Sequence, residues 1–271
     1  MEKGEVSNHL REQKKPLIIM SGDHFAAFLN KLETRPHRHW MLQIFLSLDS
    51  PLDLNVDGNS LSAAWVLVNT NLQHRFSAKN KTHFTMLIEN TSSLAAGLQR
   101  RFLNNEHGYA ILDNYCPDIA RQACAGFLGD RSAEAYRNLV QTLLDLLGIE
   151  LKKIEYDKRI ITLLKKLDEC DCSQHTVEAI ASEIYLSPSR LAHLFKEETG
   201  MPLKSYIVLH KLQKAYEILL EGKTSITDAA MITGFDSPSH LAATNSSLMG
   251  ITARNLLKDS EFLKVMRFFR V

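Results

Sequence analysis

Three histidines and an amide are the side chains best suited to chemistry in the first third of the chain. His37 and His39, in PHRHWMLQIFL, are two residues apart, so on an extended strand both point to one side. Gln43 follows in the same segment, and His74 comes from VNTNLQHRF, which also carries Asn69 and Asn71. A third imidazole supplied by a neighbouring strand would complete a nitrogen ligand set of the kind zinc takes. The same four residues can equally line an effector pocket, or be histidines satisfied within a core. The nearby aromatics Trp40, Phe45, Trp65, Phe76 and Phe84 read as core.

A second constellation lies in PSRLAHLFKEET, residues 188–199. With Leu191, Leu194 and Phe195 turned inward, a helical rotation of about 100° per residue sends Ser189, Ala192, His193 and Lys196 outward, with Arg190 on the flank. Lys196 and Arg190 can hold phosphates, and Ser189 and His193 can reach base edges in a DNA major groove. A solvated helix face carrying ordinary charges is the plain alternative for this helix taken alone.

No nucleophile with a base beside it, no glycine-rich phosphate loop and no pair of carboxylates spaced for acid–base work stands out, so no catalytic residue is expected. The four cysteines, Cys116, Cys124, Cys170 and Cys172, are too few and too unevenly spaced for a disulfide framework. Cys170-Asp-Cys172 with His175 lacks a fourth ligand and the usual zinc spacing. Reduced thiols, and the absence of an apolar run longer than Leu17–Met20 near the start, lead us to expect a cytoplasmic protein with no membrane partner.

At 271 residues, 45% apolar and 23% charged, the chain has the size of two soluble domains. Charge offers little help: from residue 151 onward there are 17 Lys and Arg against 15 Asp and Glu, and before it 15 against 16. A nucleic-acid partner usually meets a distinctly basic domain, so any such reading rests on geometry. Residues 1–16 are mostly polar and read as an arm. Residues 17–90 run in short branched and aromatic pieces with a hairpin signal at Asp57-Gly58-Asn59, which predicts a small antiparallel β-barrel or sandwich. From 91 to 148 the period turns helical, and Tyr136, Leu139, Val140, Leu143, Leu144 and Leu147 form one stripe, to be buried by its own domain or by a second copy. ELKKIEYDKRIITLLKKL marks the joint, and every later element reads as a helix.

The second half repeats itself. TVEAIASEIYLSPSRLAHLFKEETGMPLKSYI, residues 176–207, overlays SITDAAMITGFDSPSHLAATNSSLMGITARNLL, residues 225–257. Each copy begins with a capping hydroxyl (Thr176, Ser225), places an alanine where two helices must approach (Ala181, Ala230) and restarts at Ser-Pro. Each then turns a leucine inward (Leu191, Leu241) and ends on a glycine (Gly200, Gly250). KSYIVLHKLQKAYEILLEGK between them reads as one long helix.

On LSPSRLAHLFKEETG and GFDSPSHL this layout resembles the AraC/XylS family of bacterial transcription activators, over roughly residues 157–260. The resemblance implies two helix-turn-helix units, 176–200 and 225–250, whose second helices enter double-stranded DNA. Positions at or beside Ser189, Arg190, Ala192, His193 and Lys196 would contact DNA from the first. From the second, Ser237, Ser239, His240, Ala243 and Ser246 would do so, with Ala242 beside them. Family members usually carry an arginine where Ala243 stands, an aromatic at Asn245, a lysine at Ser246 and a proline at Ala253. No Arg or Lys lies between Lys223 and Arg254, so the second unit is expected to position rather than discriminate. An amide in the core slot of Asn245 costs about 1–3 kcal/mol if it finds no partner.

PHRHWMLQ also resembles the cupin motifs, in which His-x-His is followed four residues later by Glu and another segment adds a further His. Gln43 stands in the Glu slot and brings no charge to offset a cation. The barrels of AraC/XylS regulators usually hold no metal. The resemblance therefore implies an effector pocket at His37, His39, Gln43 and His74, with neither metal nor cofactor.

The expectation is an α+β multidomain protein. Residues 17–150 form a cupin-like β-barrel with helices that senses or dimerises, and residues 151–271 form an all-α domain with two helix-turn-helix units joined by a long helix. Its role would be sequence-specific transcription regulation without enzymatic activity, with DNA, a small-molecule effector, RNA polymerase for an activator, and a second copy of the chain as partners. The rivals are a metal-dependent cupin enzyme with a vestigial helical domain, and an interaction protein that has lost DNA affinity.

Overall fold

The computed structural model describes residues 15–30, 32–78, 81–104, 107–169, 176–222, 224–254 and 260–265. The arm up to residue 14 and the Cys170-Asp-Cys172 segment lie outside the described residues. The chain divides into two compact units, residues 1–153 with 248–270, and residues 154–247.

In the first unit, strands β1 (Leu17–Met20), β2 (His24–Leu29), β3 (Met41–Ser47), β6 (Trp65–Val68), β8 (His83–Glu89), β9 (Tyr109–Ile111) and β10 (Glu261–Lys264) form a seven-stranded sheet in the order β10-β1-β2-β8-β3-β6-β9. β4 (Leu52–Val56), β5 (Asn59–Ala63) and β7 (His74–Ser77) form a second sheet in the order β5-β4-β7. The β4–β5 hairpin turns through Asp57 and Gly58, both at positive φ, with Val56 opposite Asn59. That is the two-residue loop an Asp-Gly pair favours.

The strands do not close into the expected barrel. Where β5 leads into β6, the Asp113 carboxylate accepts the backbone N–H groups of Ala64 and Trp65 at 3.0 and 2.8 Å, holding the chain at the point where it leaves one sheet for the other. Strands that change sheet at such a bend make corners rather than a continuous ladder.

Period-two alternation then sorts the large sheet into two faces. Leu42, Ile44, Leu46, Phe84, Met86 and Ile88 join the core shared with helices α1 (Ser93–Phe102), α2 (Pro117–Asp130) and α3 (Ala133–Leu147). Phe45, Val66 and Val68 face the other way and pack with Leu52, Leu54, Val56 and Phe76 of the small sheet. Each such fully buried side chain contributes about 1.5–3 kcal/mol. The stripe from Tyr136 to Leu147 on α3 is buried within this unit, so it is spent on packing and not left for a second copy.

The segment from residue 151 onward is not wholly helical. Glu261–Lys264 pairs in parallel with β1, Leu17 opposite Glu261 and Met20 opposite Lys264. Only Phe262 and Leu263 are apolar in those four residues, too weak a pattern to outweigh the helical period around it; the open edge of β1 supplies what the local sequence lacks.

The second unit is α-helical: α4 (Lys158–Glu169), α5 (Val177–Glu183), α6 (Pro188–Thr199), α7 (Leu203–Leu220), α8 (Ile226–Ile232) and α9 (Pro238–Met249), the last running to the unit's edge. Among the described residues no helix is long and apolar enough to cross a membrane.

Candidate DNA interface and histidine cluster

Caps fix both helix pairs of the second unit. The hydroxyl oxygens of Thr176 and Ser187 accept the N–H groups of Ala179 and Arg190, both at 3.2 Å, and those of Ser225 and Ser237 accept from Asp228 at 3.1 Å and His240 at 3.0 Å. Pro188 and Pro238 occupy the first helical turn, where a missing N–H costs nothing. Ala181 and Ala230 are fully buried, and Leu191, Leu194, Phe195 and Leu241 turn inward. Upstream, the Asp157 N–H donates to Glu198 on α6 at 2.8 Å. Hydrogen bonds from Arg159 hold the Asp157 carboxyl down at about 2.

With their inner faces committed, the two second helices present different outer faces. On α6, Ser189, Arg190, His193 and Lys196 are exposed and Ala192 is half-buried. On α9, Ser239, His240, Ala242 and Ala243 are exposed and Ser237 and Ser246 half-buried, with no cation in the last turn. The His240 ring nitrogen lies 3.0 Å from the Asp236 carboxylate, so even the one imidazole on this face sits beside an acid.

Asn245 is fully buried, and the Tyr216 hydroxyl on α7 donates to its Oδ1. The amide therefore has a partner, and the slot is packed. Lys211, one helical face back along α7, donates from Nζ to Gly234 O at 2.8 Å and pins the turn between α8 and α9. Neither partner is recognisable in the sequence, because 29 and 23 residues separate the pairs and no periodicity links them.

The four polar residues of the first unit come together. The stretch before β3 runs beside β7, His37 and His74 exchanging backbone hydrogen bonds at 3.0 and 2.9 Å. Gln43 is on β3, on the face opposite Leu42 and Ile44. Its Oε1 lies 3.2 Å from His39 Nε2 and 3.0 Å from His74 Nε2. Its Nε2 donates to Thr85 Oγ1 at 3.1 Å, and that hydroxyl donates to Ile44 O at 3.1 Å. Thr85 escapes a sequence reading because it joins the cluster from a strand 42 residues away.

All three histidines are buried. Burial, reinforced by the neighbouring imidazoles, lowers His39 to about 3. Burial first and His37 second lower His74 to about 4, and burial lowers His37. The rings are neutral at physiological pH. The cavity that His37, His39 and Gln43 share with Phe25, Ala27, Leu29 and Leu87 is about 40 Å³, far below the roughly 300 Å³ at which small-molecule sites begin. A larger groove of about 540 Å³ lies along the small sheet, lined by Glu33, Asp53, Asn55 and Arg75 together with Leu54, Leu61 and Phe76.

Residues 180–259 match a helix-turn-helix domain family. The bifunctional transcriptional activator/DNA repair enzyme Ada of Escherichia coli (strain K12) is 31% identical over 90 residues, 33% of this chain and 25% of that protein, so the chain spans only a quarter of Ada. The probable transcriptional regulator LumQ of Photobacterium leiognathi is 19% identical over 225 residues, covering 80% of this chain and 89% of that one. Among solved structures, ToxT from Vibrio cholerae superposes over 90% of this chain and 98% of its own, with a TM-score of 0.54 at 10% identity. A second ToxT crystal structure, bound to (E)-4-(8-methylnaphthalen-1-yl)but-3-enoic acid, has the same coverage and TM-score at 13% identity.

Proposed function

We infer that this chain, an AraC-type transcription regulator, binds specific sites in double-stranded DNA through α6 and α9 of its helical unit. The observation that carries the reading is the repeated pair of capped helices whose second member buries its leucines and leaves one face free. Arg190 and Lys196 supply the phosphate contacts, and Ser189 and His193 the base-edge contacts. Placing α6 and α9 in successive major grooves, about one helical turn apart, follows the docking mode of such units.

On α9 the contribution is smaller. Ser239 and the first N–H groups of the helix can meet a phosphate, and the methyls of Ala242 and Ala243 can touch thymine. Ser237 can still donate its hydroxyl proton to a phosphate, since the cap uses only a lone pair of its oxygen. His240 and Ser246 border this face.

The reading includes a cytoplasmic protein, a contact with RNA polymerase where the regulator activates, a homodimer formed through a surface other than the α3 stripe, and no catalysis. An effector in the first unit is part of it, as the ToxT structure with its aromatic acid encourages. An organic molecule at His37, His39, Gln43 and His74 would require the 40 Å³ cavity to open. Footprinting on the DNA upstream of the protein's own gene tests the central claim. Protection that weakens steeply with salt supports it, and no protection at any protein concentration overturns it.

A further inference from the structure

We propose that His240, held in place by Asp236, is the base-reading residue of the second helix-turn-helix unit, and that it selects bases presenting an amino group in the DNA major groove, adenine or cytosine, over guanine and thymine. The proposal rests on the DNA reading above and adds to it what α9 recognises. His240 Nδ1 lies 3.0 Å from Asp236 Oδ2. A carboxylate only accepts, so Nδ1 carries the proton and the neutral ring has its lone pair on Nε2. Among the described residues Nε2 has no partner, and the side chain is 48% exposed.

Two further contacts fix the ring. The buried Phe235 ring stands against it edge to face, with centroids 5.4 Å apart at 85°. The Ser237 hydroxyl oxygen accepts the His240 N–H at 3.0 Å, which ties its backbone to the helix start. His240 is the third residue of α9, in the turn from which recognition helices reach base edges. A ring held through Nδ1 and against Phe235 gives up little freedom when Nε2 meets a base.

The lone pair decides what the ring can bind. Phosphate oxygens are acceptors, as are N7 and O6 of guanine and O4 of thymine, and none of them can donate to Nε2. The donors in the major groove are the amino groups at N6 of adenine and N4 of cytosine. The Asp236 carboxylate, 90% exposed beside the ring, also repels phosphates, which makes the DNA backbone a poor alternative. In the first unit the same slot holds Arg190, with Leu186 where Asp236 stands. A guanidinium only donates and suits phosphates and guanine, so the two units ask for opposite groups at one position. The uncharged α9 thus discriminates through an acceptor, which a count of its cations does not reveal. The rival arrangement is a protonated ring that donates from Nε2 to a phosphate.

The test selects duplexes from a random-sequence DNA library with the full chain and with its His240→Ala and Asp236→Asn variants, and measures the affinities of the selected duplexes by gel shift. The wild type should enrich adenine or cytosine at one position, binding about fivefold more weakly when guanine or thymine replaces it, as one hydrogen bond is lost. His240→Ala should lose the preference at that position alone. Asp236→Asn keeps the ring but should lose the preference too, because an amide can donate to Nδ1 as well as accept, which frees an Nε2–H for guanine and thymine. Weaker binding to every duplex with the preference intact is what a phosphate contact by His240, or a merely structural role for Asp236, would give, and it overturns the proposal. If the wild type enriches no sequence, the DNA reading falls and the proposal with it; enrichment that both variants leave unchanged sinks the proposal alone. Should His240→Ala fail to fold, Asp236→Asn decides.

Discussion

Two helices of one length and one start motif, α6 and α9, bury the same side and offer opposite surfaces. Position by position, fifty residues apart, Leu191 answers to Leu241, Phe195 to Asn245, His193 to Ala243 and Lys196 to Ser246. The inward slots are filled by different means: Phe195 packs against the Tyr206 ring with centroids 5.1 Å apart, whereas Asn245 takes a hydrogen bond from Tyr216. The outward slots exchange an imidazole and an ammonium for a methyl and a hydroxyl. Inner faces thus determine that a helix-turn-helix forms, and on the proposed reading the outer faces set how tightly it holds DNA. The two requirements were free to diverge.

The asymmetry makes graded predictions. Replacing His193 and Lys196 together by Ala should reduce specific binding roughly 100-fold or more, at about 1–3 kcal/mol for each contact, while Ser239→Ala should lose less than about fivefold. Gel-shift titration reads both, and equal losses would show that α9 reads bases as strongly as α6. Tyr216→Phe should destabilise the helical unit by about 0.5–1.5 kcal/mol, because the buried hydrogen bond from its hydroxyl to Asn245 Oδ1 is lost. Adding Asn245→Leu should restore much of that loss in denaturant melts, whereas a neutral Tyr216→Phe would mean the hydrogen bond does not hold α9.

Ala243→Arg should equip the second unit like its counterpart. Affinity should rise about tenfold, with the salt slope steeper by about one unit. No gain would place α9 away from DNA in the complex. The smallest effect concerns the turns. Tyr185, 94% exposed, sits at φ 55°, where the second unit has Gly234 at φ 72°. Tyr185→Gly should stabilise the helical unit by about 0.5–1 kcal/mol, as a left-handed residue with a Cβ gives way to one without. Thermal melts will measure it.

How much of this was legible in advance depends on the range of the cause. Caps, Ser-Pro starts and inward leucines are local, and the repeat doubled their signal; so were the Asp57-Gly58 hairpin and the shared side of His37 and His39. Sheet closure was not local. The chain's passage from one sheet to the other is held by Asp113, which accepts two N–H groups about fifty residues earlier in the chain. Tyr216, Lys211 and Thr85 were invisible for the same reason, since a side-chain hydrogen bond across tens of residues leaves no period. The convergence of the His39 and His74 Nε2 atoms on Gln43 was half legible: the residue types were evident, but the ring orientations depend on the carbonyls of Met41 and Leu72.

The pairing of β10 with β1 sets an order in time. About 240 residues separate Met20 from Glu261. At the usual pace of synthesis, about 5–20 residues per second, the outer edge of β1 waits roughly 10–50 s for its partner strand. Residues 154–247 leave the ribosome within that interval, so the helical unit is complete while the sheet of the first still has an open side. A ribosome stalled between the two would leave a chain whose helical unit is finished and whose first unit carries an exposed strand edge, the kind of edge on which chains aggregate.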